Sequence, residues 1–81
     1  MYKYIDIKDV QPQPNYQIIF TYVNGEKRQF DMGPYLNRGI FKELKNPKMF
    51  NTVKPCFNSV SWANKADIDP ETLYEDSIKI D

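Results

Sequence analysis

The clearest pattern in the chain lies between residues 16 and 32. Tyr16, Ile18, Phe20 and Tyr22 alternate with Gln17, Ile19, Thr21 and Val23, and Asn24-Gly25 follows. Alternation of period two reads as a half-buried strand, and Asn-Gly is the strongest short hairpin signal. Residues Lys27 to Met32 then form the returning strand. Periodicity also selects the loop. A two-residue loop sets Ile18 against Asp31 and Phe20 against Gln29, apolar against polar on one face. A three-residue loop, Val23-Asn24-Gly25, pairs Tyr22 with Glu26, Ile18 with Phe30 and Tyr16 with Met32. A one-residue slip exchanges the two faces, so the buried face fixes the register. The three-residue loop is therefore expected, with Gly25 at positive φ as a bulge residue. The expected core face is Tyr16, Ile18, Phe20, Phe30 and Met32, with the stem of Arg28 laid along it.

The flanking segments are shorter. Residues 2–10 mix aromatic and β-branched residues with charges and read as a strand. Pro12 and Pro14 lack a donor N–H, so Gln11 to Asn15 is expected to be a loop. Gly33-Pro34 ends the second hairpin strand. Ile40, Phe41 and Leu44, then Met49, Phe50 and Val53, each repeat the spacing of one helical turn. Asn46 can cap the second turn and Pro47 can open it. Residues 58–62 alternate again, with Val60 and Trp62 inward. Ala63-Asn64-Lys65 turns the chain, and Asp67-Ile68-Asp69 is extended. Asp69 then caps a helix that Pro70 opens, with Glu71 at its positive dipole end. Ser77 to Asp81 alternates and reads as a short edge strand. The prediction is an α+β fold: a small antiparallel sheet in the order β-β-β-α-β-β-α, with short helices on one face.

Length and composition narrow what such a fold can do. The chain has 81 residues, enough for one small domain over residues 1–81. A chain of this size buries only about 60% of its unfolded surface, so the aromatic face is needed as core. With 15% aromatic residues and a net charge of zero, disorder is not expected. The longest apolar run in the hairpin, Ile18-Ile19-Phe20, is far too short to span a membrane, and no leader-like segment opens the chain, so a cytosolic protein is expected. There is no His, and Cys56 stands alone. That rules out a disulfide framework, a Cys/His zinc site and any Ser-His or Cys-His nucleophile. Cys56 has no basic neighbour in sequence and is expected to be inert and partly buried. No cofactor is expected.

Charge is unevenly distributed. Residues 1–65 carry +5 and residues 66–81 carry −5. The basic stretch Arg38, Lys42, Lys45, Lys48 and Lys54 fits either a solvated helical face or a phosphate-facing patch. The acidic stretch includes Asp67, Glu71, Glu75 and Asp76 and ends beside Ile78 and Ile80. Three patterns suggest catalytic or ligand chemistry, and each has a structural alternative. Asp31, Glu43 and Lys45 match loosely the carboxylate-and-lysine set of magnesium-dependent nucleases, but Glu-x-Lys follows a helical turn rather than lying on a strand. Asp67, Asp69 and Glu71 resemble the start of a calcium loop, but Thr72 and Ile78 stand where Gly and Glu are needed. Tyr16, Phe20, Tyr22 and Phe30 resemble a base-stacking sheet, but the core requires that face. No metal site is expected.

The order of these segments is itself informative. Asn15 to Glu26 with Phe30-Asp31-Met32, then Gly39-Ile40-Phe41-Lys42-Glu43-Leu44 with Phe50, then Trp62 to Tyr74, resembles the bacterial "domain of unknown function 2442" family. Ala63 and Lys65 stand where that family usually has Pro and Gly, which leaves another turn geometry open. The resemblance implies a small α+β domain with no agreed catalytic residues. Relatives are often encoded beside another small protein, in arrangements suggestive of toxin–antitoxin pairs, and longer ones append a helix-turn-helix half that is not expected here. The expectation is therefore a non-enzymatic interaction module, an antitoxin-like or regulatory partner of another small protein. Its contacts would be edge-strand pairing through Tyr2 to Val10 or Ser77 to Asp81 and the acidic set Asp67, Glu71, Glu75, Asp76 with Ile78 and Ile80. A homodimer through the same edge is a variant. The alternative is a nucleic-acid binder using Arg38, Lys42, Lys45, Lys48 and Lys54, and behind it the nuclease.

Overall fold

Left-handed backbone at one glycine sets the register of the main hairpin. In the computed structural model, residues 5–80 are described. Strands β2 (Gln17–Tyr22) and β3 (Lys27–Asp31) pair antiparallel with Ile18 opposite Phe30. The loop is Val23-Asn24-Gly25, as the periodicity predicts. The Tyr22 N–H donates to the Glu26 carbonyl at 2.8 Å, and Gly25 has φ +94°. The pairing continues to the strand end, where the Met32 N–H donates to the Tyr16 carbonyl at 2.9 Å.

Four strands make the main sheet in the order β1-β2-β3-β6, with β1 spanning Ile7–Gln13 and β6 spanning Ile78–Lys79. All its pairings are antiparallel. A second, two-stranded sheet joins β4 (Lys54–Cys56) to β5 (Ser59–Ser61). Between the sheets in sequence run 3-10 helices at Gly33–Tyr35 and Gly39–Lys45, followed by helix α1 (Pro47–Phe50). Helix α2 (Pro70–Glu75) precedes β6. Both predicted caps are present. The Asn46 side chain accepts from the Lys48 N–H, and the Asp69 carboxylate accepts from the Glu71 and Thr72 N–H groups.

The core lies between the inner sheet face and the helical layer. Ile18, Phe20, Tyr22, Phe30 and Met32 from the sheet meet Leu44, Phe50, Val60, Trp62 and Leu73, all buried. Each such side chain contributes about 1.5–3 kcal/mol on leaving water. Trp62 is 1% exposed, and its indole N–H donates to the Phe50 carbonyl at 3.0 Å. That bond lets the largest core residue be buried without stranding its polar atom. The Arg28 stem runs along this layer, as expected. Its guanidinium stacks 4.2 Å from the centroid of the Tyr74 ring and pairs with Glu26.

Several expectations are corrected. The first strand starts later than predicted and runs through Gln11, Pro12 and Gln13 rather than ending at Val10. Pro12 is tolerated because β1 is an edge strand, where a missing donor costs no ladder bond if it faces outward. Residues Tyr2 to Tyr4 of the predicted strand lie outside the described residues. Tyr16 is half-buried rather than core, because residues Pro14–Tyr16 form a 3-10 turn in which Asn15 and Tyr16 both have positive φ. Its ring meets Phe50 edge-on and its hydroxyl donates to the Lys45 carbonyl. Residues 54–56 form an unforeseen strand, whereas Asp67 makes only an isolated bridge to Ser61. Cys56 is exposed, not partly buried, because it sits at the end of the β4–β5 hairpin beside its solvent-exposed tip residue, Phe57.

The turn after Trp62 repeats the geometry of residues 23–25. In the first loop the Gly25 N–H bonds to the Tyr22 carbonyl, and in the second the Lys65 N–H bonds to the Trp62 carbonyl, both at 2.9 Å. Asn24 and Asn64 each accept from the backbone N–H two residues on, at 3.0 Å. Lys65 takes φ +73° where the other loop has Gly25. Lys65 thus adopts the left-handed backbone that Gly25 supplies in the first loop, at the cost of strain. Lys65→Gly is expected to stabilise the fold by about 0.5–1 kcal/mol in urea denaturation. Gly25→Lys is expected to destabilise it by about 1 kcal/mol. The space around Gly25 is open, so that cost is torsional rather than steric.

Candidate functional site

Where β3 ends, Gly33-Pro34 lifts the chain into a 3-10 turn and carries Tyr35 over Phe30. The two rings stack with centroids 5.5 Å apart, and Phe41 meets Tyr35 edge-on at 6.4 Å. The extended segment before α2 passes opposite and brings in Asp67, Ile68 and Asp69. Together with Arg38 and Thr72 these residues enclose a cleft of about 220 Å³. Its floor is aromatic and its rim is charged.

The rim charges are held differently. Asp69 is committed to capping α2, at 3.1 Å from the Glu71 nitrogen and 3.2 Å from that of Thr72. Asp67 is exposed, and among the described residues its carboxylate makes no hydrogen bond or ion pair. The Arg38 guanidinium lies over the Tyr35 ring at 5.3 Å, a contact worth about 0.5–1 kcal/mol at an exposed site. The Tyr35 hydroxyl donates to Asp76 at 2.8 Å, which ties the 3-10 turn to the end of α2. Burial first, then the hydrogen bond to Asp76 and its negative charge, raise the Tyr35 pKa. The positive charge of Arg38 opposes them.

The structure divides the residues expected to bind a partner. Asp67 lines the cleft. Glu71 and Glu75 are exposed on α2, and Asp76 follows it. Ile78 and Ile80 are exposed on the edge of the sheet, away from the cleft walls. The other expected edge, β1, is partly occupied: its Ile7 N–H donates to the Phe57 carbonyl at 2.8 Å.

The basic set is divided as well. Lys42 and Lys45 lie on the second 3-10 helix, Lys48 on α1 and Lys54 on β4, all exposed. Arg38 leaves this set and joins the acidic residues at the cleft. The nuclease candidates are engaged in separate places. Asp31 accepts from the Gly33 N–H at 2.8 Å, and Glu43 accepts from the Asn64 side chain at 2.9 Å. Among the described residues no three of His, Cys, Asp and Glu are grouped to hold a metal ion. Phe20 and Phe30 are buried, so the inner sheet face offers no base-stacking platform.

Two cleft residues escape sequence reasoning. Tyr35 follows a Gly-Pro break and has no periodic partner, so nothing in the pattern marks it. Phe41 reads as core from its helical spacing, and it is half-buried because its other side faces the cleft. A second cleft, of about 420 Å³, opens between the proline-rich β1–β2 connection and α1, lined by Pro12, Pro14, Tyr16, Pro47 and Asn51 among others. No charged residue lines it.

These features define a small α+β domain with an aromatic-floored, charge-rimmed cleft on its helical side. The chain belongs to the family described as "Protein of unknown function (DUF2442)", whose model matches residues 7–79. No curated protein and no solved structure matches it. No helix among the described residues is long and apolar enough to cross a membrane.

The Tyr35–Asp76 contact makes a pH prediction. A raised native pKa means that the neutral phenol is favoured by folding. Its stabilisation is present in full below the ordinary value of 10.0 and is lost as pH rises through the higher native pKa. Asp76→Ala is expected to lower the Tyr35 midpoint, read by NMR of the ring carbons against a Tyr35→Phe control. An unchanged midpoint would remove Asp76 as a cause.

Proposed function

We propose that this chain is a non-enzymatic interaction module that binds another small protein, in the manner of an antitoxin or regulatory partner. The observation that carries this reading is the cleft between Arg38 and Asp67. An aromatic floor with an uncommitted carboxylate on its rim suits the aliphatic stem and charged head of a Lys or Arg side chain on a partner. The exposed Glu71 and Glu75 on the adjoining helix extend the same negative surface. Such a surface speeds encounter with a basic protein and disfavours an acidic one.

The natural partner to test is the product of the adjacent gene. Coexpressed with this chain, it is expected to copurify at a fixed ratio. Asp67→Lys with Glu75→Lys should weaken the complex by at least about tenfold and reduce its salt sensitivity. Lys42→Glu with Lys45→Glu should leave it intact. A complex indifferent to the first pair, or no complex alongside salt-dependent binding of short DNA or RNA that the second pair abolishes, would replace this reading with the nucleic-acid one.

A further inference from the structure

The core packs against one face of the main sheet, and the register defines what the other face presents. Residues paired directly across strands share a face. Opposite the core, the middle row is therefore Ile78, Gln29, Ile19 and Gln11, in the order β6, β3, β2, β1. The row toward the β2–β3 loop holds Ile80, Lys27, Thr21 and Asp9. The row toward the other end holds Asp31, Gln17 and Gln13. None of these residues is buried. Ile78 is 70% exposed, and Ile19 is absent from the core cluster and its packed neighbours.

This face is uncharged at its centre and charged at its ends. Two aliphatic side chains and two amides occupy the middle row. Around them, Gln29 donates to Gln17 within the face. In β3, Lys27 and Asp31 stand two residues on either side of Gln29. That spacing is self-complementary. A twofold axis between two such faces, running across the strands along the middle row, reverses strand direction and keeps each strand over its own counterpart. Ile78 then meets Ile78 and Ile19 meets Ile19. Lys27 of one copy meets Asp31 of the other, twice by symmetry, while Thr21 meets Gln17 and Asp9 meets Gln13. Aligned sheet packing at about 10 Å, with inner side chains interdigitating, is the ordinary geometry for such faces.

We propose that the outer face of the main sheet is a homodimer interface, with a second copy of this chain seated on it through Ile19 and Ile78 and locked by reciprocal Lys27–Asp31 pairs. Its occupant follows from the charge pattern, which this face matches in itself. It is a different surface from the cleft, and neither reading depends on the other. Four strands at about 4.8 Å spacing and five residues at about 3.3 Å rise make a small face. The interface falls at the low end of specific ones, below about 1,200 Å² in total, so the dimer is weak and concentration-dependent.

Sedimentation equilibrium across about 10 µM to 1 mM tests this directly. The weight-average mass is expected to climb from 9.6 kDa toward twice that value. Lys27→Glu alone and Asp31→Lys alone should each weaken self-association by at least about tenfold. An equimolar mixture of the two variants should restore it, because every cross-pair is then opposite in sign. Asp31 also holds the Gly33 N–H, so Ile19→Lys is the companion variant: Ile19 is half-buried and outside the core cluster, a cooperative melt checks that the variant is folded, and the folded variant should remain at 9.6 kDa. The Asp67→Lys, Glu75→Lys variant should dimerise normally, which separates this result from failure of the cleft reading. A wild-type mass fixed at 9.6 kDa throughout, unaltered dimerisation of Ile19→Lys, or folded variants whose mixture stays monomeric would overturn the proposal.

Discussion

Register in the β2–β3 hairpin is the constraint on which everything else rests. Side chains alternate across a strand, so a single-residue shift would send Phe30 and Met32 to water and bring Gln29 and Asp31 into the interior. The positive φ of Gly25 and the hydrogen bond that the Glu26 N–H donates to the Asn24 side chain hold the three-residue loop that fixes the pairing. With that register set, the inner face is a continuous apolar surface that the helical layer must cover. The cleft exists because that cover is incomplete where β3 gives way to Gly33-Pro34. The outer face exists as a mixed, mostly uncharged surface because the same register assigns it the remaining residues.

The cleft and the core share their side chains, which limits how each can change. Phe30 is buried and at the same time forms cleft floor; Phe41 packs edge-on toward Trp62 while its other side meets the opening. Tyr35 bridges the two roles through its ring stack and its hydroxyl bond to Asp76. Substitutions on this floor therefore act on stability and on recognition together. The rim carboxylate of Asp67 is separate from the packing, and so is the guanidinium of Arg38 apart from its ring contact. Charge at Asp67 and Arg38 is therefore separable from the packing, whereas the charge at Asp69 is tied to the α2 cap.

Strong local rules made part of this legible from sequence. Alternation plus Asn-Gly specified the hairpin, its loop length and most of the inner face. Capping chemistry placed Asn46-Pro47 and Asp69-Pro70 correctly. The misses have physical causes. Pro12 argued against a strand, yet an edge position removes the objection, and edge status is a property of the whole sheet. Residues 54–56 carry Pro55 and no alternation, so their pairing with β5 is a tertiary outcome. The cleft was illegible for a similar reason: Asp67 is far in sequence from Tyr35 and Arg38, and only the closure of the chain over β3 brings it to the same cleft. Asp67 stands out in the sequence by its charge and its place in an Asp-x-Asp-x-Glu pattern, whereas Arg38 groups in sequence with the lysines and lines the cleft in the structure.

The main sheet is also asymmetric at its margins. On the β1 side, Pro12 removes a donor and the Phe57 carbonyl occupies the Ile7 N–H. On the β6 side, two residues form a short strand without proline. A template that accepts a new strand at one margin and resists it at the other cannot propagate head to tail. A strand added at β6, even from an identical chain, leaves only β1 margins to extend, where the Pro12 donor is missing and the Ile7 N–H is already engaged.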